Sequence, residues 1–411
     1  MTKKLLVFLN LFIILIPYSI SARDISDFYY RADNFLGGLS DPNVGLTAFP
    51  TLIIPSGGRF EAMGTAFTAV ADDASFLEAN PAGSSSLRYT ELAFFHNDWI
   101  ADTNIESVIF TTRFNNFGFG VGGKFLYVPF TGYGHWGERT SRGYYSESVG
   151  ILNFSYRFMA SHDFWGIAVG TNLKAAYRHI PAEIYENQSA LSTMLDIGVL
   201  TRFNFLKFYT AREKNASFGI VLKNLGIAQL DDPLPLEAAA GIAYSPFRPL
   251  LLAIDITYPI SLNPSEQPAE KWGFAVGTDV KITDFFSVQG GFRYRGSNPR
   301  FSVGSKVILN NISFNFNYTL DLTTQAGLDR FSIVSTLNLG DRGRASIAKR
   351  VDGYYIAGLR AYADGDLFGA VRNWERAVAL DPGFSPAVAS LTTVRKTLEM
   401  LEEMQAMQVV R

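Results

Sequence analysis

A chain of 411 residues with 36 Lys and Arg against 38 Asp and Glu has a formal charge of -2, which gives no electrostatic reason to expect nucleic acid. Charged residues make up 18%, below the ~25% of ordinary domains, while aromatics reach 14% and the mean hydropathy is only +0.09, so a helical membrane protein is excluded. Cysteine is absent, which rules out a disulfide scaffold, a thiolate metal site and a lipid-modified cysteine.

Lys3 and Lys4 precede an apolar stretch from Leu5 to Ile16, followed by small residues at Ser19, Ser21 and Ala22. Such a stretch is too short to span a bilayer, for which ~20 apolar residues are needed, and the pattern predicts a signal peptide over 1–22. Residues 23–56 form a poorly patterned lead-in broken at Asp41-Pro42 and Pro55.

From Gly57 to Gly83 the chain is small-residue-rich and lightly charged. Phe60, Met63, Phe67, Val70, Ala74 and Leu77 recur at spacings of three and four, which predicts a short buried helix. Asn80-Pro81-Ala82-Gly83 ends it, because proline lacks a backbone donor and glycine admits unusual backbone angles. Ala71-Asp72-Asp73-Ala74 followed by Asn80-Pro81-Ala82-Gly83 resembles the plug region of FadL-type outer-membrane transporters and of their PorV-like relatives. The similarity is strongest to an uncharacterised FadL-like family of treponemal outer-membrane proteins. The resemblance implies a hatch filling a barrel of fourteen strands, so that residues 23–86 make up the lead-in and the hatch.

Past the plug the period becomes two. In 117–127, Phe117, Phe119, Val121, Phe125 and Tyr127 oppose Gly118, Gly120, Gly122, Lys124 and Leu126; Gly120, Gly122 and Gly123 are read as strand glycines and not as a phosphate loop. In 311–321, Ile312, Phe314, Phe316, Tyr318 and Leu320 alternate with Asn311, Ser313, Asn315, Asn317, Thr319 and Asp321. About fourteen such segments begin near 89, 105, 117, 147, 164, 191, 216, 236, 250, 271, 285, 300, 311 and 330. The expected fold is an all-β transmembrane barrel of about fourteen antiparallel strands over 87–340, closed so that no backbone donor is left unpaired in hydrocarbon. Tight connections such as Asn115-Asn116 and Asn310-Asn311 are assigned to the periplasm, with both termini there, and long ones such as 128–146 to the outside. The glycine- and aromatic-rich segment 129–146 is read as an outer loop able to fold over the mouth.

After a linker at 341–350 the spacing turns helical. From Val351 to Phe384 the chain resembles one tetratricopeptide repeat, with Tyr354, Ala357, Gly358, Ala361, Tyr362, Gly365, Ala370, Trp374, Ala377 and Pro382 at its offsets. The small α-helical domain at 351–411 is expected in the periplasm, with Tyr354, Tyr362 and Trp374 as partner-binding residues.

No enzyme, cofactor or metal site is expected. His96, His135, His162 and His179 are scattered singly, and the adjacent carboxylates Asp72 and Asp73 point apart on a helix. What the FadL resemblance implies is outer-membrane passage of a hydrophobic small molecule, a fatty acid or lipid, with long-chain fatty acid the leading cargo. Phe60, Met63, Phe67 and Phe76 are then candidates for the ligand path, and Asn80, Pro81 and Gly83 for the hatch hinge. The alternatives are a PorV-like scaffold docking a periplasmic protein through 351–411, and a structural or adhesive surface protein.

Overall fold

A computed structural model describes residues 47–409 apart from 100–102, 162, 183–185, 210–212, 228–231, 263–269, 296–298 and 322–328. The expected signal peptide, the lead-in up to residue 46 and His162 lie outside the described residues.

Fourteen strands follow one another: β1 (Glu91–Asp98), β2 (Asn104–Phe114), β3 (Phe117–Tyr133), β4 (Arg139–Phe158), β5 (Ile167–His179), β6 (Ala190–Phe203) and β7 (Ala216–Gly226), then β8 (Glu237–Phe247), β9 (Leu250–Pro259), β10 (Gly273–Thr283), β11 (Phe286–Tyr294), β12 (Arg300–Leu309), β13 (Ile312–Asp321) and β14 (Arg330–Asn338). Each pairs antiparallel with its neighbours, and β14 pairs with β1 from Glu91↔Asn338 to Asp98↔Phe331, closing the barrel. The two-residue alternation sets which face each side chain takes. Along β5, Ala168, Gly170, Asn172, Lys174 and Ala176 turn into the lumen while Val169, Leu173 and Tyr177 stand outward. The outer wall carries an apolar belt that includes Val121, Leu152, Ile197, Ile220, Ile254 and Val303. Such a belt over a polar interior is the surface a barrel needs in a bilayer. Among the described residues no helix is long and apolar enough to cross a membrane.

The sequence places the starts of β3, β7, β9, β12 and β14 at the observed residues, but it misplaces the long segment at 129–146. There β3 and β4 continue as a paired hairpin from Val128↔Tyr145 to Tyr133↔Arg139, so no loop folds over the mouth from this segment. Strands of 17 and 20 residues exceed the ~10 needed to cross a bilayer, and the pair stands out beyond the other strands as an arm. The Asn115-Asn116 and Asn310-Asn311 turns are tight, with Asn115 and Asn310 in the left-handed region (φ 50° and 55°) that such hairpins require. At the same end a longer stretch of sequence separates β6, ending at Phe203, from β7, starting at Ala216.

The segment before β1 runs inside the barrel and plugs it. The single helix expected there does not form: α1 (Gly58–Ala62) and α2 (Phe76–Ala79) are separate short helices, followed by a 3-10 stretch, Pro81–Ser86. Gly64, Thr65 and Ala71 hold positive φ values of 63°, 68° and 34° between them, which no α-helix accommodates. Phe60, Met63, Phe67, Val70, Ala74 and Leu77 are all buried nonetheless, so the period marked burial without marking a helix.

Beyond the wall come α3 (Arg344–Ala363), α4 (Leu367–Leu380) and α5 (Ser385–Val409). α3 starts inside the stretch read as linker, after Gly343 at φ 77°. Asp366 caps α4 by accepting from the Gly369 amide at 2.8 Å.

Candidate functional site

The plugged lumen is the candidate site, and its wall is shaped to the plug. Gly118, Gly170, Gly219, Gly277 and Gly291, on β3, β5, β7, β10 and β11, face plug backbone so closely that a Cβ on any of them would come within 3.0 Å of it. Glycine is used here for close approach.

Polar contacts then fix the plug to this wall. Arg59, on α1, donates from Nε to Asp279 Oδ2 of β10 at 2.7 Å, pairs through Nη1 with Asp72 and with Asp73 at 3.3 Å, and stacks 5.2 Å over the Phe67 ring. Burial alone would lower the Arg59 pKa, but Asp72, Asp279 and Asp73 outweigh it and hold the pKa well above its ordinary value. Burial likewise pushes the Asp72 carboxyl up, and the Arg59 charge overrides it to leave the pKa depressed. Glu78 follows the same logic: desolvation is overcome by Lys124, whose Nζ lies 2.8 Å away, and by the Ser56 amide at 3.0 Å. Asp255 of β9 accepts from the Phe67 and Thr68 amides at 2.9 and 2.8 Å, satisfying backbone that no helix satisfies.

The expected hinge is the most heavily tied stretch. Asn80 is fully buried and donates to Thr68 O at 2.9 Å and Val199 O at 3.1 Å, while its Oδ1 accepts from the Ala82 amide. Asn153 of β4 donates to Pro81 O at 2.9 Å. Gly83 packs on Ala71 and Phe76, and next to it Ser84 Oγ lies 2.5 Å from Ser155 Oγ of β4.

Of the residues expected on a ligand path, three come together. Phe60 and Phe67 meet edge to face at 5.9 Å, and with Met63 they pack against Ala243, Ala253 and Ala275 of the wall. Phe76 belongs to a different cluster, with Phe49, Leu77, Ile109 and Ile151. Beside Phe60, toward the end with the longer connections, lies a cavity of about 50 Å³. It is bounded by Leu52–Pro55, Thr68, Glu78, Lys223, Glu237, Asp255, Arg293 and Arg295 among others. Glu237 is held there by Lys223 at 2.7 Å and Arg295 at 2.6 Å. A space of this size holds a few waters among these charged side chains and no acyl chain. Neither Arg59 nor Asp255 was singled out from the sequence. The only signal was a lone Arg and Glu inside a run of small and apolar residues, GGRFEAMG.

Residues 37–339, which take in the described plug and all fourteen strands, match the Uncharacterised protein family (UPF0164). The chain belongs to that family. A UPF0164 protein of Treponema pallidum (strain Nichols) is 29% identical over 413 residues, covering 96% of this chain and 94% of its own. A second one from the same organism is 26% identical, covering 85% of this chain and 75% of its own. The treponemal family suggested by the plug motif is thus borne out. In fold this UPF0164 chain is similar to a TodX monoaromatic hydrocarbon channel deltaS2 mutant, with a TM-score of 0.50 at 10% identity over 69% of this chain and 99% of that one. At that identity the likeness is one of architecture.

In the UPF0164 chain's helical tail, Trp374 is buried and donates from Nε1 to Tyr355 O at 3.2 Å, with Gly358 pressed against its indole. Tyr362 is exposed beside it at 6.0 Å, and Tyr354 lies under Arg376. Trp374 therefore fills the core between the helices, while Tyr362 offers surface.

Proposed function

We propose that the protein resides in an outer membrane, with its short turns and both termini toward the periplasm, and takes up hydrophobic molecules, long-chain fatty acids first among them. The observation that carries this reading is the apolar cluster of Phe60, Met63 and Phe67 against wall alanines, set in a lumen that ion pairs also cross. The likeness of its fold to a monoaromatic hydrocarbon channel supports it. With a cavity of about 50 Å³ the cargo passes only when the plug shifts. Asn80, Pro81 and Gly83, tied to β4 and β6, then serve as the fixed pivot about which residues 58–79 swing. Native mass spectrometry of the detergent-purified protein tests this: a stoichiometric acyl chain, displaced by competing fatty acid, is expected. A barrel that carries none and transfers no labelled acyl chain between vesicles would end the reading.

A scaffold role is the second reading, favoured by Ile356, Leu359 and Phe368, which stand exposed on α3 and α4 beside Tyr362. The tetratricopeptide-like helices would dock a periplasmic protein, as in a PorV-like export component. Deleting 345–411 separates the two: a carrier keeps its ligand, whereas a scaffold loses its partner.

A further inference from the structure

The end of the barrel with the short turns holds a group of cations that the apolar cluster of Phe60, Met63 and Phe67 does not include. Arg113 on β2, Arg157 on β4 and Arg202 on β6 each lie two residues past a buried lumen-facing residue, Thr111, Ser155 and Leu200, and so share the inward face. Their strands alternate around the wall, which sets neighbouring members of the group on strands ~10 Å apart.

Elsewhere in the lumen cations commonly meet carboxylates, as Lys174 meets Asp196 at 2.7 Å and Arg330 meets Glu61 at 3.6 Å. Among the described residues Arg113, Arg157 and Arg202 form no ion pair. The Arg113 guanidinium makes no hydrogen bond there, and its Nε and that of Arg157 are enclosed without an acceptor. Arg157 uses Nη2 on Asn116 Oδ1 at 3.1 Å; Arg202 uses Nη2 on Val70 O at 3.2 Å and Ser86 Oγ at 3.3 Å. Trp165 lies between these two, 5.1 Å from one guanidinium and 5.2 Å from the other. Arg344 of α3 brings a fourth charge within reach of Arg113. The facing carboxylates are Asp72, already engaged by Arg59, and Glu213, which makes no ion pair with Arg202.

Like charges gathered at low dielectric repel, and a group of this kind is relieved by an anion. Stacking on an aromatic face holds a guanidinium while leaving its N–H edge free for bidentate contact with an oxyanion. We infer that Arg113, Arg157 and Arg202 form a binding site for a phosphate group, entered from the short-turn end of the barrel. A phosphate carries about two negative charges near neutrality, which suits several arginines better than a single carboxylate does.

The test is calorimetric titration of the full-length protein in non-ionic detergent with inorganic phosphate and, separately, with octyl phosphate below its micelle concentration. Saturable 1:1 binding is expected, weakening with added salt and at least tenfold weaker in both Arg113→Gln and Arg157→Gln. Arg157→Lys should recover part of that loss, and Arg395→Gln on the exposed face of α5 should change nothing. Heat-modifiable gel migration checks that each variant keeps its barrel. Octyl phosphate binding tenfold tighter than inorganic phosphate identifies an amphiphile headgroup as the source, and equal affinities identify the free anion. Absence of saturable binding for both probes, or binding unchanged in both Gln variants, overturns the site. Neither result bears on whether an acyl chain is carried past the Phe60, Met63 and Phe67 cluster.

Discussion

Arg59 Nε reaches Asp279 Oδ2 at 2.7 Å, joining the first helix of the plug to the wall of the barrel across 220 residues of sequence. The same guanidinium holds Asp72 and Asp73. Replacing Arg59 with Met leaves the buried Asp279 carboxylate without its cation, for which ~3–5 kcal/mol is the usual cost. The expected result is faster hydrogen exchange across residues 58–79 with strand amides unchanged. Equal protection of the plug in Arg59→Met and the parent would show that the pair does not hold it.

The plug should also loosen in acid. Asp72 and Glu78 have folded-state pKa values below their ordinary ones, because Arg59 and Lys124 outweigh burial. A depressed carboxylate stabilises the bound state fully above its unfolded pKa and loses that contribution as pH falls through the folded value. Plug protection should therefore stay flat from pH 7 to about 5 and decline below about 4, where free carboxyls protonate. Pepsin cleavage within 58–79, followed against pH, measures it; loss of protection already at pH 6 would contradict the assignment.

Ser84 Oγ and Ser155 Oγ are 2.5 Å apart, close to a disulfide's S–S separation of about 2.05 Å, and the chain has no other thiol. The double variant Ser84→Cys/Ser155→Cys should oxidise to a lock between pivot and β4. If residues 58–79 swing about a fixed pivot, acyl-chain transfer should survive this lock. A second pair, Ser56→Cys/Ser107→Cys, whose hydroxyls lie 2.7 Å apart, should abolish transfer until reductant is added. Transfer blocked by the first lock and spared by the second would place the moving part elsewhere.

Wall glycines offer a graded perturbation. An alanine at Gly219 or Gly291 drives its Cβ into plug backbone, and overpacking of this kind costs ~1–3 kcal/mol. Gly123 and Gly150 have nothing within 4 Å of the same position, so Gly123→Ala should be silent. Protease sensitivity of the plug in the three variants distinguishes a fitted wall from a loose one.

The strands were legible because successive wall residues face outward and into the plugged lumen in turn, so a period of two survives in the sequence even at β13, where Asn315 and Asn317 face inward. The plug was legible only as burial. Its backbone is satisfied by Asp255, Asn153 and Asn172 from distant strands, so local spacing could not report its path. The β3–β4 arm was hidden for the opposite reason: glycines and tyrosines at 129–146 look like a loop, and only cross-strand pairing from Val128 to Tyr133 makes them a hairpin. Arg113, Arg157 and Arg202 stand far apart in sequence and meet only through the order of the strands.

The closure of β1 on β14 gives assembly a definite order of events. The plug precedes every strand in the chain, whereas the seam between Glu91 and Asn338 waits for the last one. A plug that settles before that seam forms is enclosed as the ring closes, and one that settles later has to enter a finished barrel through its mouth.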